Sequence, residues 1–127
     1  MANVLVDTSV WVDYLRRGLS PASEELDLLL EENRAVLCGT VELELLQGVR
    51  AQEKTSLEEL LSALPYAETT REDFQDAGEL LRTLRTKGVQ IPATNGLIAA
   101  VCIRQDLSLL TLDGHFNHVH ALKKHHV

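Results

Sequence analysis

The sequence is short of several things, and each shortage excludes a class of function. No apolar run approaches the ~20 residues needed to span a bilayer, so no membrane association is expected. The first residues lack a basic region followed by an apolar core, so no secretory leader is expected either. There are only two cysteines, Cys38 and Cys102, far apart and each in an apolar context. That usage suits buried reduced thiols better than a disulfide and places the chain in the cytoplasm. Aromatic residues make up 4% of the chain, too few for a platform on which bases stack. Basic residues are outnumbered, 12 against 19 acids, and the formal net charge is −7. A non-specific nucleic-acid coat needs the opposite balance. Clustered acids do not exclude a nuclease, because a divalent cation held among them meets phosphate with its own charge. Repeats, low-complexity segments and linkers are also missing, so residues 1–127 form one domain.

What the sequence has is alternation. Val4, Leu5 and Val6 form a short apolar run that reads as a strand buried on both faces. It stops at Asp7, after which Val10, Trp11, Tyr14 and Leu15 recur at helical spacing. Ser20-Pro21 opens a helix that Asn33 closes. Ala35 to Cys38 reads as a second strand, and Gly39-Thr40 leads into a third helix. Ser56 with Glu59 reads as a capping box starting another helix, which ends before Pro65. Tyr66 to Glu68 is a short strand. Thr70 caps a long helix with Phe74, Ala77, Leu81 and Leu84 on one face and Gly88 beyond its end. Thr94 starts a buried helix, Leu107 to Leu112 is a strand, and Val119 to Leu122 is an edge strand. Strands that alternate with helices indicate an α/β fold with a parallel sheet between helical layers.

In such a sheet ligands bind at the carboxyl ends of the strands. Asp7 falls there, and it is also a good helix N-cap. Glu42 and Glu44 lie on the helix after the second strand, Asn95 at the start of the buried helix, and Asp113 after the strand that follows it. Gathered at one edge, these carboxylates repel each other unless a cation sits among them. Oxygen-only ligands suit Mg2+ or Mn2+ rather than zinc. Each residue also has a plainer role: Asp113-Gly114 is a turn pair, and Asn95 a second helix-start residue. The helical wheel, with Val41, Leu45, Leu46 and Val49 around it, makes Glu42 the more buried of the two glutamates. The five histidines cluster near the C-terminus without the spacing of a zinc pair.

Four segments in order, V-D-T-S-V-W, E-L-L-Q-G, G-L-I-A-A and L-L-T-L-D, resemble the PIN-domain family, and within it the VapC-type toxins of toxin–antitoxin pairs. The resemblance implies a three-layer α/β/α sandwich around a parallel sheet of about five strands. It implies a Mg2+- or Mn2+-dependent endoribonuclease that acts as a homodimer on RNA and is inhibited by a cognate antitoxin. Carried over by position, Asp7, Glu44, Asn95 and Asp113 are the metal and catalytic residues, which overrides the wheel preference for Glu42. Ser9 and Thr111 are supporting hydroxyls. The third acid of the family pattern is replaced here by Asn95, which offers a carbonyl oxygen but no charge. An impaired nuclease is therefore expected, the alternative being a non-catalytic RNA- or protein-binding module. A phosphatase or receiver domain would need a D-x-D after the first strand or a strand-end lysine, and neither is present. Arg16, Arg17, Arg50 and Lys54 are candidate contacts to the RNA backbone. Trp11, Tyr14, Leu15 and the helix Val41 to Val49 are expected to form an apolar groove for an antitoxin helix.

Overall fold

The computed structural model describes every residue except Met1 and Arg17. Arg17, one of the four basic residues singled out for RNA, therefore lies outside the described residues.

Strand β1 (Val4–Val6) is followed by helices α1 (Thr8–Arg16) and α2 (Pro21–Glu31). Then come β2 (Ala35–Cys38), α3 (Gly39–Gly48), a 3-10 turn (Ala51–Glu53), α4 (Lys54–Ser62) and β3 (Tyr66–Ala67). The chain continues through α5 (Arg71–Thr86), α6 (Ala93–Gln105), β4 (Ser108–Leu110) and a last 3-10 turn (Gly114–His118). Every residue of β1 and β2 is buried, as their unbroken apolar runs require. The sheet is parallel with strand order β3-β2-β1-β4. Val4 pairs with Ala35 on one side and Ser108 on the other, so β1 is an interior strand. Among the described residues six helices flank the sheet in an α/β/α arrangement. None among the described residues is long and apolar enough to cross a membrane.

The sheet has four strands among the described residues, not about five. The segment expected as an edge strand, Val119 to Leu122, instead follows the last 3-10 turn. Val119 and Leu122 are buried there, but their amides bond within the turn, to Phe116 and Val119. Beyond it the chain touches the sheet at one bridge, Leu109 to Lys124, where His125 N donates to Leu109 O at 2.8 Å. Ser56 is no cap: the 3-10 turn runs straight into α4, so the chain is already helical two residues earlier. Nor does Thr94 cap α6, whose first carbonyl acceptor is Pro92, bonded by the amides of Asn95 and Gly96.

Helix α5 begins as its sequence dictates, with Thr70 and Asp73 forming a reciprocal capping box. Its inward face differs from expectation at the first turn. Phe74 is 59% exposed, and the buried neighbour is Asp73, fully enclosed and paired with Arg104 of α6. Further along, α5 and α6 touch at Gly96, where an added Cβ would meet Leu81 Cγ at 2.8 Å. Gly88, at φ +81°, turns the chain out of α5 toward α6. These contacts fix α6, and with it Asn95, against the rest of the domain.

Candidate active site

Asp7 follows β1 and is 5% exposed. Its amide donates to the carbonyl of Leu110, the last residue of β4, and its own carbonyl starts α1 by accepting from Val10 and Trp11. The backbone thus does the capping. The carboxylate bonds no amide of α1 among the described residues. Instead Oδ2 accepts the hydroxyls of Ser9 at 2.7 Å and Thr111 at 2.8 Å. Ser9 in turn accepts the amide of Leu112, and Thr111 the amide of Asp113, each at 3.0 Å. Two short side chains therefore tie the end of β1 to the loop after β4.

Asp113 sits in that loop. Its Oδ1 accepts the amide of His115, whose ring Nδ1 stands 2.9 Å from the same oxygen. Its Oδ2 accepts the side-chain amide of Asn95 at 3.0 Å. Burial pushes the Asp113 carboxyl up, but the His115 amide, the Asn95 amide and the His115 ring together hold it below the usual carboxylate range. Asn95 is 7% exposed on the first turn of α6.

Glu44 reaches the same edge from α3. Its Oε1 accepts the hydroxyl of Thr8, the residue after Asp7, at 2.7 Å. Glu42 points elsewhere, with Tyr66 Oη of the outer strand 3.4 Å from its Oε1. Burial pushes the Cys38 thiol at the end of β2 up, against the backbone hydrogen bonds of Val41 and Thr40. The six residues singled out from sequence, Asp7, Ser9, Glu44, Asn95, Thr111 and Asp113, are thus brought to one edge. Thr8 and His115 were missed as contributors. Nothing local marks Thr8, whose partner is 36 residues away.

Beside Glu44 a cavity of about 740 Å3 opens between α1, α3 and α4, lined by Val12, Leu15, Arg16, Leu45, Val49 and Arg50 among others. The aromatic pair expected to line this groove does not. Trp11 is 0% exposed, and Tyr14, set edge-on to it, turns its hydroxyl to Asp27 of α2. Lys54 is exposed on α4 and does not line the cavity.

The family model of the PIN domain matches residues 4–122. The chain belongs to the PIN-domain family. Ribonuclease VapC11 of Mycobacterium tuberculosis is 34% identical to it over 119 residues, which is 90% of this chain and 89% of the relative. Among solved structures, VapBC2 from Rickettsia felis bound to a promoter DNA fragment superposes with a TM-score of 0.79 at 24% identity, covering 96% of both chains. FitAcB from Neisseria gonorrhoeae gives 0.78 at 23% identity, also covering 96% of both. At these identities the likeness to the two structures is one of fold.

Within this PIN domain the donors fit a hard divalent cation in kind. Asp7, Glu44, Asp113 and the Asn95 carbonyl offer oxygen only, and Asp7 and Glu44 each keep one carboxylate oxygen without a hydrogen-bond partner among the described residues. The set is weak in charge. Among the described residues no three His, Cys, Asp or Glu side chains group closely enough to hold a metal.

Proposed function

We propose that this chain is a divalent-metal-dependent endoribonuclease, the toxin half of a VapBC-like pair, acting in the cytoplasm as a homodimer. The observation that carries the reading is the state of Asp7: a buried strand-end carboxylate held by two hydroxyls, from Ser9 and Thr111, rather than spent on its helix. A fold that needed only a cap would not build that support from a loop 104 residues away. The VapC11 relative is a ribonuclease by name, which supports RNA as the substrate.

Asp7, Glu44, Asn95 and Asp113 would hold the cation, Mg2+ or Mn2+. When bound, it supplies positive charge at the scissile phosphate and lowers the pKa of a water molecule. Ser9 and Thr111 fix the Asp7 carboxylate in one orientation. Thr8 does the same for Glu44, whose other oxygen is left to accept a proton. Asn95 holds Asp113 but adds no charge, so the chain as it stands binds metal weakly and cleaves slowly. A cognate antitoxin lays an apolar helix in the cavity beside Glu44, against Val12, Leu15, Leu45 and Val49. Arg16 and Arg50 on its rim are candidate backbone contacts for RNA when the antitoxin is absent.

The test is cleavage of a labelled RNA in a Mn2+ titration. Asn95→Asp turns cleavage on, and adding Asp7→Asn silences it again, because the ligands act as a unit. No cleavage by Asn95→Asp on any RNA moves the assignment to a second reading, a PIN fold that binds RNA or protein without cutting. Asn95 itself is the observation that favours that reading.

A further inference from the structure

Between Leu80 and Gln105 the chain has no acid at all, yet it carries Arg82, Arg85, Lys87 and Arg104. In a protein of net charge −7 this is a departure, and the fold gives two of the four cations one address. Arg104 is taken up by buried Asp73. Arg82 and Arg85 project from consecutive turns of α5 into a cavity of about 530 Å3, shared with Gly78, Leu81, Gln90 and Ala93. Leu81 packs against Gly96, and Ala93 and Gly96 flank Asn95 on the first turn of α6. The cavity therefore borders the turn that carries Asn95, from the α5 side.

Its charges are available. Arg82 meets only Glu79, one turn back, in an exposed pair of the kind that holds weakly. Among the described residues no acid stands within ion-pair distance of Arg85 or Lys87. Gly78 is the more telling residue. A glycine inside a helix costs stability relative to alanine, and here nothing in the fold requires it, since an added Cβ would meet no atom within 4 Å. Gly78 lines the cavity and presents no side chain to it.

We propose that this cavity is a binding site for the phosphate backbone of single-stranded RNA, holding the substrate on the α5 side of Asn95. The inference rests on the nuclease reading and extends it to a substrate contact separate from Arg16 and Arg50. Two guanidinium groups supply paired donors for phosphate oxygens, and Gln90 adds an amide. No aromatic side chain lines the cavity, so the contact reads charge and spacing rather than base identity.

The test measures binding of a labelled single-stranded RNA in EDTA, where nothing is cut, across a series of salt concentrations. Replacing both arginines (Arg82→Gln with Arg85→Gln) weakens binding about tenfold and flattens the log–log salt slope by about 1.4, or about 0.7 for each of two phosphates. Gly78→Glu, a better helix former that puts an acid one turn before Arg82, weakens binding by pairing with that guanidinium while both arginines are kept. Arg71→Gln, which removes an exposed cation at the far end of α5, leaves affinity and slope as they were. Unchanged binding in both cavity variants, with Asn95→Asp still cleaving RNA, overturns this proposal and leaves the nuclease reading standing. Absence of RNA binding by the parent chain, with no cleavage by Asn95→Asp, overturns both. An equal loss from Arg71→Gln reduces the effect to general surface charge. A shift in sedimentation of the cavity variants with RNA affinity intact assigns the face to a second copy of the chain instead.

Discussion

The side-chain amide of Asn95 donates to Oδ2 of Asp113 across 3.0 Å, and with the His115 amide on Oδ1 it leaves Asp113 bonded at both oxygens. This is a neutral residue doing with a hydrogen bond what a cation would do for two acids. Asn95→Asp replaces the donor with a second carboxylate, so in metal-free buffer one of the two must keep its proton. A carboxyl whose folded pKa is raised destabilises as pH climbs through that value and costs nothing below the unfolded pKa. The Asn95→Asp variant is therefore less stable than the parent by about 1–3 kcal/mol at pH 7, and the gap closes toward pH 4. Mn2+ raises its melting temperature more than the parent's. Equal Mn2+ shifts in thermal unfolding would remove position 95 from the ligand set.

Thr8→Val keeps the shape of the side chain and removes the hydroxyl that holds Glu44. The expected loss in stability is about 1 kcal/mol. In the Asn95→Asp background, cleavage falls by about tenfold, the scale of losing a group that orients a ligand. Thr8→Ser restores most of it. A Thr8→Val protein that cuts as fast as its parent would mean that Glu44 needs no fixing.

Gly96→Ala puts a Cβ into Leu81 and forces α5 away from α6. Overpacking of this kind costs about 1–3 kcal/mol, measurable by urea unfolding, and Leu81→Ala in the same chain recovers part of it by making room. Without that recovery, the close approach of the helices at this point is not what Gly96 provides.

Asp73 is enclosed, and the Arg104 guanidinium beside it, joined by the Thr70 cap, holds its carboxyl below the usual carboxylate range against the opposing effect of burial. A depressed carboxyl contributes stability above its unfolded pKa and loses it as pH falls through the folded value. Acid unfolding of the parent therefore includes protonation of Asp73. Asp73→Asn lowers stability at pH 7, because the exposed Arg104 guanidinium loses its charged partner, and the difference from the parent narrows below pH 4. Urea titrations at pH 7 and pH 3 read both halves of this expectation.

Much of the fold was legible because it depends on neighbours in sequence. The apolar runs of β1 and β2, the Thr70 cap and the φ-positive Gly88 each declare themselves within a few residues. What escaped depends on partners far along the chain. Helical periodicity put Phe74 inside, but the choice between Phe74 and Asp73 is made by Arg104, 31 residues on. Apolarity marked Val119 and Leu122 as buried without saying that a turn rather than a strand would bury them. The wheel favoured Glu42 over Glu44 because it counts apolar neighbours on one helix. The outcome turns on Tyr66 and Thr8, which stand on other elements. The residues around Asp7 were legible as types and positions, whereas the hydroxyl and amide bonds that join them were not.

The strand order has a consequence for how the protein is made. β1 leaves the ribosome first yet lies inside the sheet, and the hydroxyl of Thr111 that fixes Asp7 is synthesised 104 residues later. Early segments of a chain settle before late ones exist, so Asp7 waits until the loop after β4 is made for its support. A ribosome that stalls before Thr111 yields a fragment with Asp7, Glu44 and the residues of β4 in hand but neither the Thr111 hydroxyl nor Asp113. The Asp7 carboxylate thus stays without its second hydroxyl until the loop after β4 has been made.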